Sequence, residues 1–190
     1  MRPLRDIFEF HHIFHHPIIH HSRWPQTFEA LGQRSGFVLY QTTIKDHFTD
    51  PALLEIKGLH DRGYIYIDEN FRGILSRMSG IYSMPISVIP GEKLQIIIEN
   101  QGRICFGPKI NDFKGIVSNV TINGKPMENW KMVSFPMDLN ALNELSKMPF
   151  ETRWDIWSGK KPLPHIMAYF LKINMTNGQC NEYLLTKPVK

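Results

Sequence analysis

"YIYIDENFRGIL", Tyr64 to Leu75, decides the fold class. Tyr64 to Ile67 alternate aromatic and β-branched side chains, which suit a pleated, half-buried surface better than a helix. Asp68-Glu69-Asn70 follows as a polar turn, and Phe71 to Leu75 reads as the return strand. A strand, a tight turn and a return strand make a β-hairpin. Working outward, "GFVLYQTTI" (Gly36–Ile44) reads as another strand, with Phe37 and Leu39 on one face and Val38 and Tyr40 on the other. "KLQIIIEN" (Lys93–Asn100) is apolar too continuously for a strand with one wet face, so it is expected to run through a sandwich core. "GIVSNVTING" (Gly115–Gly124) alternates again, setting Ile116, Ser118, Val120 and Ile122 against Val117, Asn119 and Thr121. "NWKMVSF" (Asn129–Phe135) closes the series.

Short strands separated by Gly, Pro and Asn predict an all-β sandwich. Asp138 is placed to cap a helix over "LNALNELSKM", where Leu139, Leu142 and Leu145 mark one narrow face. "HIMAYFLKIN" (His165–Asn174) and "EYLLTK" (Glu182–Lys187) read as strands with too few companions, the beginning of another sheet. The segment "MAYFL" is too apolar to stay in water and is expected to dock on a sheet edge or a bare surface.

A chain of 190 residues holds one domain, or one and part of another. The formal charge is +4, but Lys and Arg are scattered, and Lys160-Lys161 is the best local group. Nucleic-acid binding calls for a basic stripe and none is present. No apolar run approaches the length of a membrane span. Cys105 and Cys180 lie far apart and leave both pairing and free thiols open; no cysteine or histidine spacing suggests structural zinc. The first 21 residues, "MRPLRDIFEFHHIFHHPIIHH", have no continuous apolar core and do not read as a signal peptide. Six of the nine histidines fall there, between His11 and His21. On a helix His12 and His16 would share a face and could hold zinc or nickel, but Pro17 interrupts that helix. The simpler reading is a disordered leader over residues 1–23, with no metal.

Four segments now carry a family likeness. "GFVLYQTT", "LHDRGYIYIDENFRGIL", "LQIIIENQGRICFG" and "INDFKGIVSNVTING", in this order and spacing, resemble the first all-β domain of family-35 β-galactosidases. The resemblance runs from Trp24 to Leu139. It implies a jelly-roll sandwich of the galactose-binding-domain type over residues 24–138, followed over residues 139–190 by a helical linker and the incomplete start of a second sandwich. It also implies, for the intact enzyme, retaining hydrolysis of terminal β-linked galactose by two glutamates about 5–5.5 Å apart on a catalytic barrel. Such a barrel needs about 250 residues, and only 23 precede Trp24. No position here matches the catalytic pair, so no catalytic residue is expected. The chain reads as a truncated, non-catalytic homologue whose partner is a β-galactosidase barrel or a glycan. Family members are lysosomal or extracellular.

The residues themselves offer chemistry for two other functions. A glycosidase site made here would need two of Glu55, Asp61, Glu69, Glu99 and Asp112 to converge, one of them protonated. Simpler roles are a local ion pair or turn for Asp61 beside Arg62, a hairpin tip for Glu69, and an ion pair or Asx turn for Asp112 with Lys114. A carbohydrate-binding module would use Arg103, Asn111 and Asp112 on sugar hydroxyls, with Trp130 or Tyr64 as an aromatic platform for a glycan. In the simplest reading the loop around them is joinery, in which Gly102, Gly107 and Gly115 permit tight turns. Asn119-Val120-Thr121 and Asn174-Met175-Thr176 are glycosylation sequons. No cofactor is expected.

Overall fold

The computed structural model describes residues 18–104, 107, 108 and 110–136. Its strands are β1 (Ile19–Ser22), β2 (Phe37–Thr43), β3 (Ala52–Glu55), β4 (Leu59–His60), β5 (Arg62–Ile67) and β6 (Asn70–Ser76). They continue with β7 (Ser83–Ile86), β8 (Lys93–Glu99), β9 (Gly115–Ile116), β10 (Thr121–Ile122), β11 (Lys125–Pro126) and β12 (Trp130–Phe135). The expected helix after Asp138, the strands His165–Asn174 and Glu182–Lys187, the histidines from His11 to His16, Cys105, Cys180 and Asn174 lie outside the described residues.

The strands form a six-stranded sheet ordered β1-β12-β2-β8-β5-β6, a four-stranded sheet ordered β11-β10-β3-β7, and the pair β4-β9. Each pairing between these strands is antiparallel. The two larger sheets enclose one apolar cluster. Val38, Tyr40, Ile65, Ile67, Ile96, Ile98 and Met132 face it from the larger sheet, and Ala52, Leu54, Ile86 and Ile122 from the smaller. The all-β sandwich read from the strand pattern is the architecture. The hairpin falls where "YIYIDENFRGIL" put it: Asp68 and Glu69 have φ of 45° and 63°, the left-handed pair that a two-residue turn requires between twisted strands. β8 is central, with β2 on one side and β5 on the other, which explains its unbroken apolar run.

Two expectations need correction. The leader was expected to extend to residue 23, but Ile19–Ser22 is an edge strand pairing with β12 from Ile19↔Val133 to Ser22↔Trp130. The histidine content hid it, although the backbone pairs irrespective of side chain. Gly115 to Gly124 is not one strand. It pairs with β4 at β9, leaves at Val117 and rejoins another sheet at β10. The inward residues Ile116, Val120 and Ile122 stay buried throughout, so the alternation was real while the pairing partner changed. β3 and β7 carried no sequence signal because each is only four residues long. Pro85 in β7 is tolerated because β7 is an edge strand.

Candidate functional site: a buried ion-pair cluster at one end of the sandwich

The pairing of the short strands assembles this site. Register His60↔Gly115 in β4-β9 sets Asp61 beside Lys114. Register Arg62↔Ser76 in β5-β6 brings Arg77, just past the end of β6, to the same place, where the Arg77 amide donates to the Asp61 carbonyl at 2.8 Å. Register Arg62↔Glu99 delivers Gln101, whose amide donates to Asp61 Oδ2 at 2.9 Å.

Lys114 is 1% exposed, Asp112 7% and Asp61 9%. Lys114 Nζ donates to Asp61 Oδ1 and Oδ2 at 3.0 and 2.9 Å. It also stands 2.7 Å from Asp112 Oδ2, an ion-pair contact rather than a well-aligned hydrogen bond. Arg77 Nη1 donates to Asp112 Oδ1 at 2.7 Å and to Asp61 Oδ1 at 3.3 Å. Two carboxylates therefore face two cations. The His60 ring completes the rim: its Nδ1 donates to the Phe113 carbonyl at 2.7 Å and lies 3.6 Å from Asp112 Oδ1.

Burial alone would push the Asp112 carboxyl up, but the Lys114 ammonium and the Arg77 guanidinium overcome it and hold the group at about 2. Glu29 joins from the outside: it accepts the Lys114 amide at 3.1 Å and pairs with Arg103. Burial works against its ionisation, yet backbone amides and Arg103 hold its pKa below the usual carboxylate range. Glu99 behaves differently. Burial raises its pKa despite the hydrogen bond that it accepts from Tyr64 Oη at 3.1 Å.

The sugar-binding candidates are only partly together. Arg103 and Asp112 meet, through a bond from Arg103 Nη1 to the Asp112 carbonyl at 3.1 Å, and exposed Asn111 adjoins them in the loop. Trp130 is wholly buried in the core, edge-on to Tyr40 with ring centroids 6.5 Å apart, and its indole N–H donates to the Met127 carbonyl at 2.9 Å. Tyr64 is buried on the other face of the larger sheet. Asn119 is exposed. Of the carboxylates, Glu69 occupies the hairpin tip, and Glu55 pairs with exposed Lys57 at 3.4 Å. Asp61 takes neither expected local role, since its partners are Lys114 and Arg77 rather than Arg62. Arg77 and His60 escaped sequence reading because their partners are remote in the chain. Among the described residues no set of His, Cys, Asp and Glu converges in a way that could hold a metal ion. Within them, no helix is long and apolar enough to cross a membrane.

Chemically, this arrangement fixes a loop. Both cluster carboxylates face cations, and Asp112 is held ionised, whereas general acid catalysis needs a carboxyl kept protonated. Gly115 seals the adjoining turn. Its φ is +91°, and a Cβ there would fall 2.8 Å from Phe28 Cδ2 and closer still to Tyr40 Oη.

The profile of the β-galactosidase first all-β domain matches residues 25–138. The β-galactosidase of Bos taurus is 40% identical over 120 residues, covering 62% of this chain and 18% of that enzyme. The Homo sapiens β-galactosidase is 39% identical over 119 residues, covering 62% and 17%. β-Galactosidase 8 of Oryza sativa subsp. japonica is 34% identical over 137 residues, covering 67% and 20%. The matched region thus spans about a fifth of these relatives. The chain belongs to the family of the β-galactosidase first all-β domain.

Proposed function

We propose that these residues serve as the structural, non-catalytic sandwich of a β-galactosidase, bracing a catalytic barrel that hydrolyses terminal β-linked galactose. The observation that carries this reading is the Asp61–Lys114–Asp112–Arg77 cluster, which commits the carboxylates at the loop end to internal ion pairs. A rigid loop end suits a brace, whereas a glycosidase site needs one carboxyl free to give up a proton. Sugar binding has less support, because the Trp130 ring is enclosed in the core and offers no platform.

A chimaera tests the proposal. Residues 25–138 replace the matching segment of the cattle enzyme, and turnover of a chromogenic β-galactoside is measured. The expected result is an active chimaera, alongside no turnover by this chain alone. An unstable or inactive chimaera would count against the brace, and turnover by this chain that Asp112→Asn abolishes would overturn it.

A further inference from the structure

The turn between β10 and β11 is the pair Asn123-Gly124. An Asn-Gly pair is a chemically labile point in a backbone. The glycine nitrogen can attack the asparagine Cγ, because no Cβ crowds its approach. A bond forms between that nitrogen and Cγ, the nitrogen gives up its proton, and the Cγ–Nδ2 bond breaks to release ammonia. The resulting five-membered imide takes up one water and opens at either carbonyl, leaving aspartate or isoaspartate.

The surroundings of Asn123 serve each part of that step. Asn123 and Gly124 are exposed, and nothing stands within 4 Å of the place that a Gly124 Cβ would occupy. The ladder closes at Ile122↔Lys125, which leaves the Gly124 amide outside it. Asn123 Oδ1 accepts the Leu53 amide at 2.7 Å. That donor is aimed at the atom on which negative charge grows as Cγ is attacked, and a fixed donor there favours the tetrahedral intermediate. Asn123 Nδ2 donates to Thr49 Oγ1 at 3.1 Å, so a hydroxyl already touches the nitrogen that must gain a proton as it leaves. Both ends of the side-chain amide are thus held by groups that suit the reaction.

The products differ in their effect on the fold. Isoaspartate carries the chain through the former side chain and adds one backbone carbon to a two-residue turn. Ile122, directly before it, is wholly buried and pairs with Leu54 of β3. A longer turn there shifts β11 against β10 and draws the acceptor away from the Leu53 amide. We infer that Asn123 is a self-modification site: its turn closes to a succinimide, assisted by the Leu53 amide and the Thr49 hydroxyl, and the isoaspartate product loosens the β10-β11 turn from β3.

Ageing of the full chain at mildly alkaline pH tests this, with Asn177→Gln removing the other Asn-Gly pair of the sequence. Peptide mass spectrometry follows the amide-to-acid change at Asn123, and an isoaspartyl methyltransferase counts the isoaspartate. Conversion is expected in the folded chain. Thr49→Val should slow it by about ten-fold, while Thr49→Ser, which keeps the hydroxyl, should convert at the parent rate. The purified isoaspartate form should exchange its Leu53 amide hydrogen faster than the parent. Asn123→Asp should not, since its carboxylate still accepts that amide in an unlengthened turn. Conversion confined to chain unfolded in urea would overturn the inference. So would an equal or faster rate in Thr49→Val, which would show that the bond to Thr49 gives no help or protects Asn123. Unchanged Leu53 exchange in the isoaspartate form would overturn the proposed loosening.

Discussion

Lys114 Nζ is clasped by two carboxylates, 2.9 Å from Asp61 Oδ2 and 2.7 Å from Asp112 Oδ2, with its side chain almost wholly removed from water. Removing one member of such a cluster strands the others. Lys114→Met leaves Asp61 and Asp112 sharing Arg77, and it should lower stability by about 3–5 kcal/mol in urea denaturation. The exposed pair Glu55–Lys57 supplies the contrast: Lys57→Ala should change stability by less than about 0.5 kcal/mol. Equal effects from the two substitutions would show that burial does not set the value of the pair.

Acid should attack the same cluster. The Asp112 pKa falls from an ordinary 3.8 to about 2 in the folded chain. A carboxyl with a depressed folded-state value contributes stability above its unfolded value, and loses that contribution as pH falls through the folded one. Stability should therefore decline between about pH 4 and pH 2 by on the order of 2 kcal/mol from Asp112. Asp112→Asn should flatten that part of the stability–pH curve. A wild-type slope in the variant would assign the acid sensitivity elsewhere.

Gly115 combines two constraints in one residue. Its φ of +91° disfavours any L side chain, and the space for a Cβ is taken by Phe28 and Tyr40. Gly115→Val should cost more than about 2 kcal/mol. Gly124 has a φ of +78° but open space around it, so Gly124→Ala should cost about 1 kcal/mol. Thermal midpoints of the two variants in that order would separate steric from conformational strain.

Legibility in the sequence followed the range of the interactions. The hairpin from Tyr64 to Leu75 and the central strand Lys93–Glu99 are written in local periodicity, which a short window reveals. Asp112 and Lys114, two residues apart, were readable as a pair for the same reason. Arg77 and Asp61 were not, because 16 residues separate them and Lys114 lies 53 from Asp61. Only the registers of β4-β9 and β5-β6 bring them together, and no local pattern encodes register between distant strands. Trp130 shows the opposite limit: aromatic chemistry was visible, but its direction depended on which face of β12 met the core.

The sequence holds one further local turn signal. "TINGKP" holds an Asn-Gly pair, the sequence most typical of a two-residue hairpin turn, and it joins β10 to β11 with Asn123 at φ 48° and Gly124 at φ 78°. Asn123 also bridges outward. Its Oδ1 accepts the Leu53 amide at 2.7 Å and its Nδ2 donates to Thr49 Oγ1 at 3.1 Å. The turn thus ties the end of β3 to the loop before it. Asn123→Ala removes both bonds and places a side chain poorly suited to the left-handed region, so a loss of about 1–2 kcal/mol is expected. Asn123→Gly keeps the backbone conformation but loses the bonds, and should cost less. Hydrogen exchange at the Leu53 amide distinguishes the two contributions. It should quicken in both variants, since Oδ1 is gone from each, while the melting midpoint falls further in the alanine variant. Equal midpoints would mean that the side-chain bonds alone hold the turn.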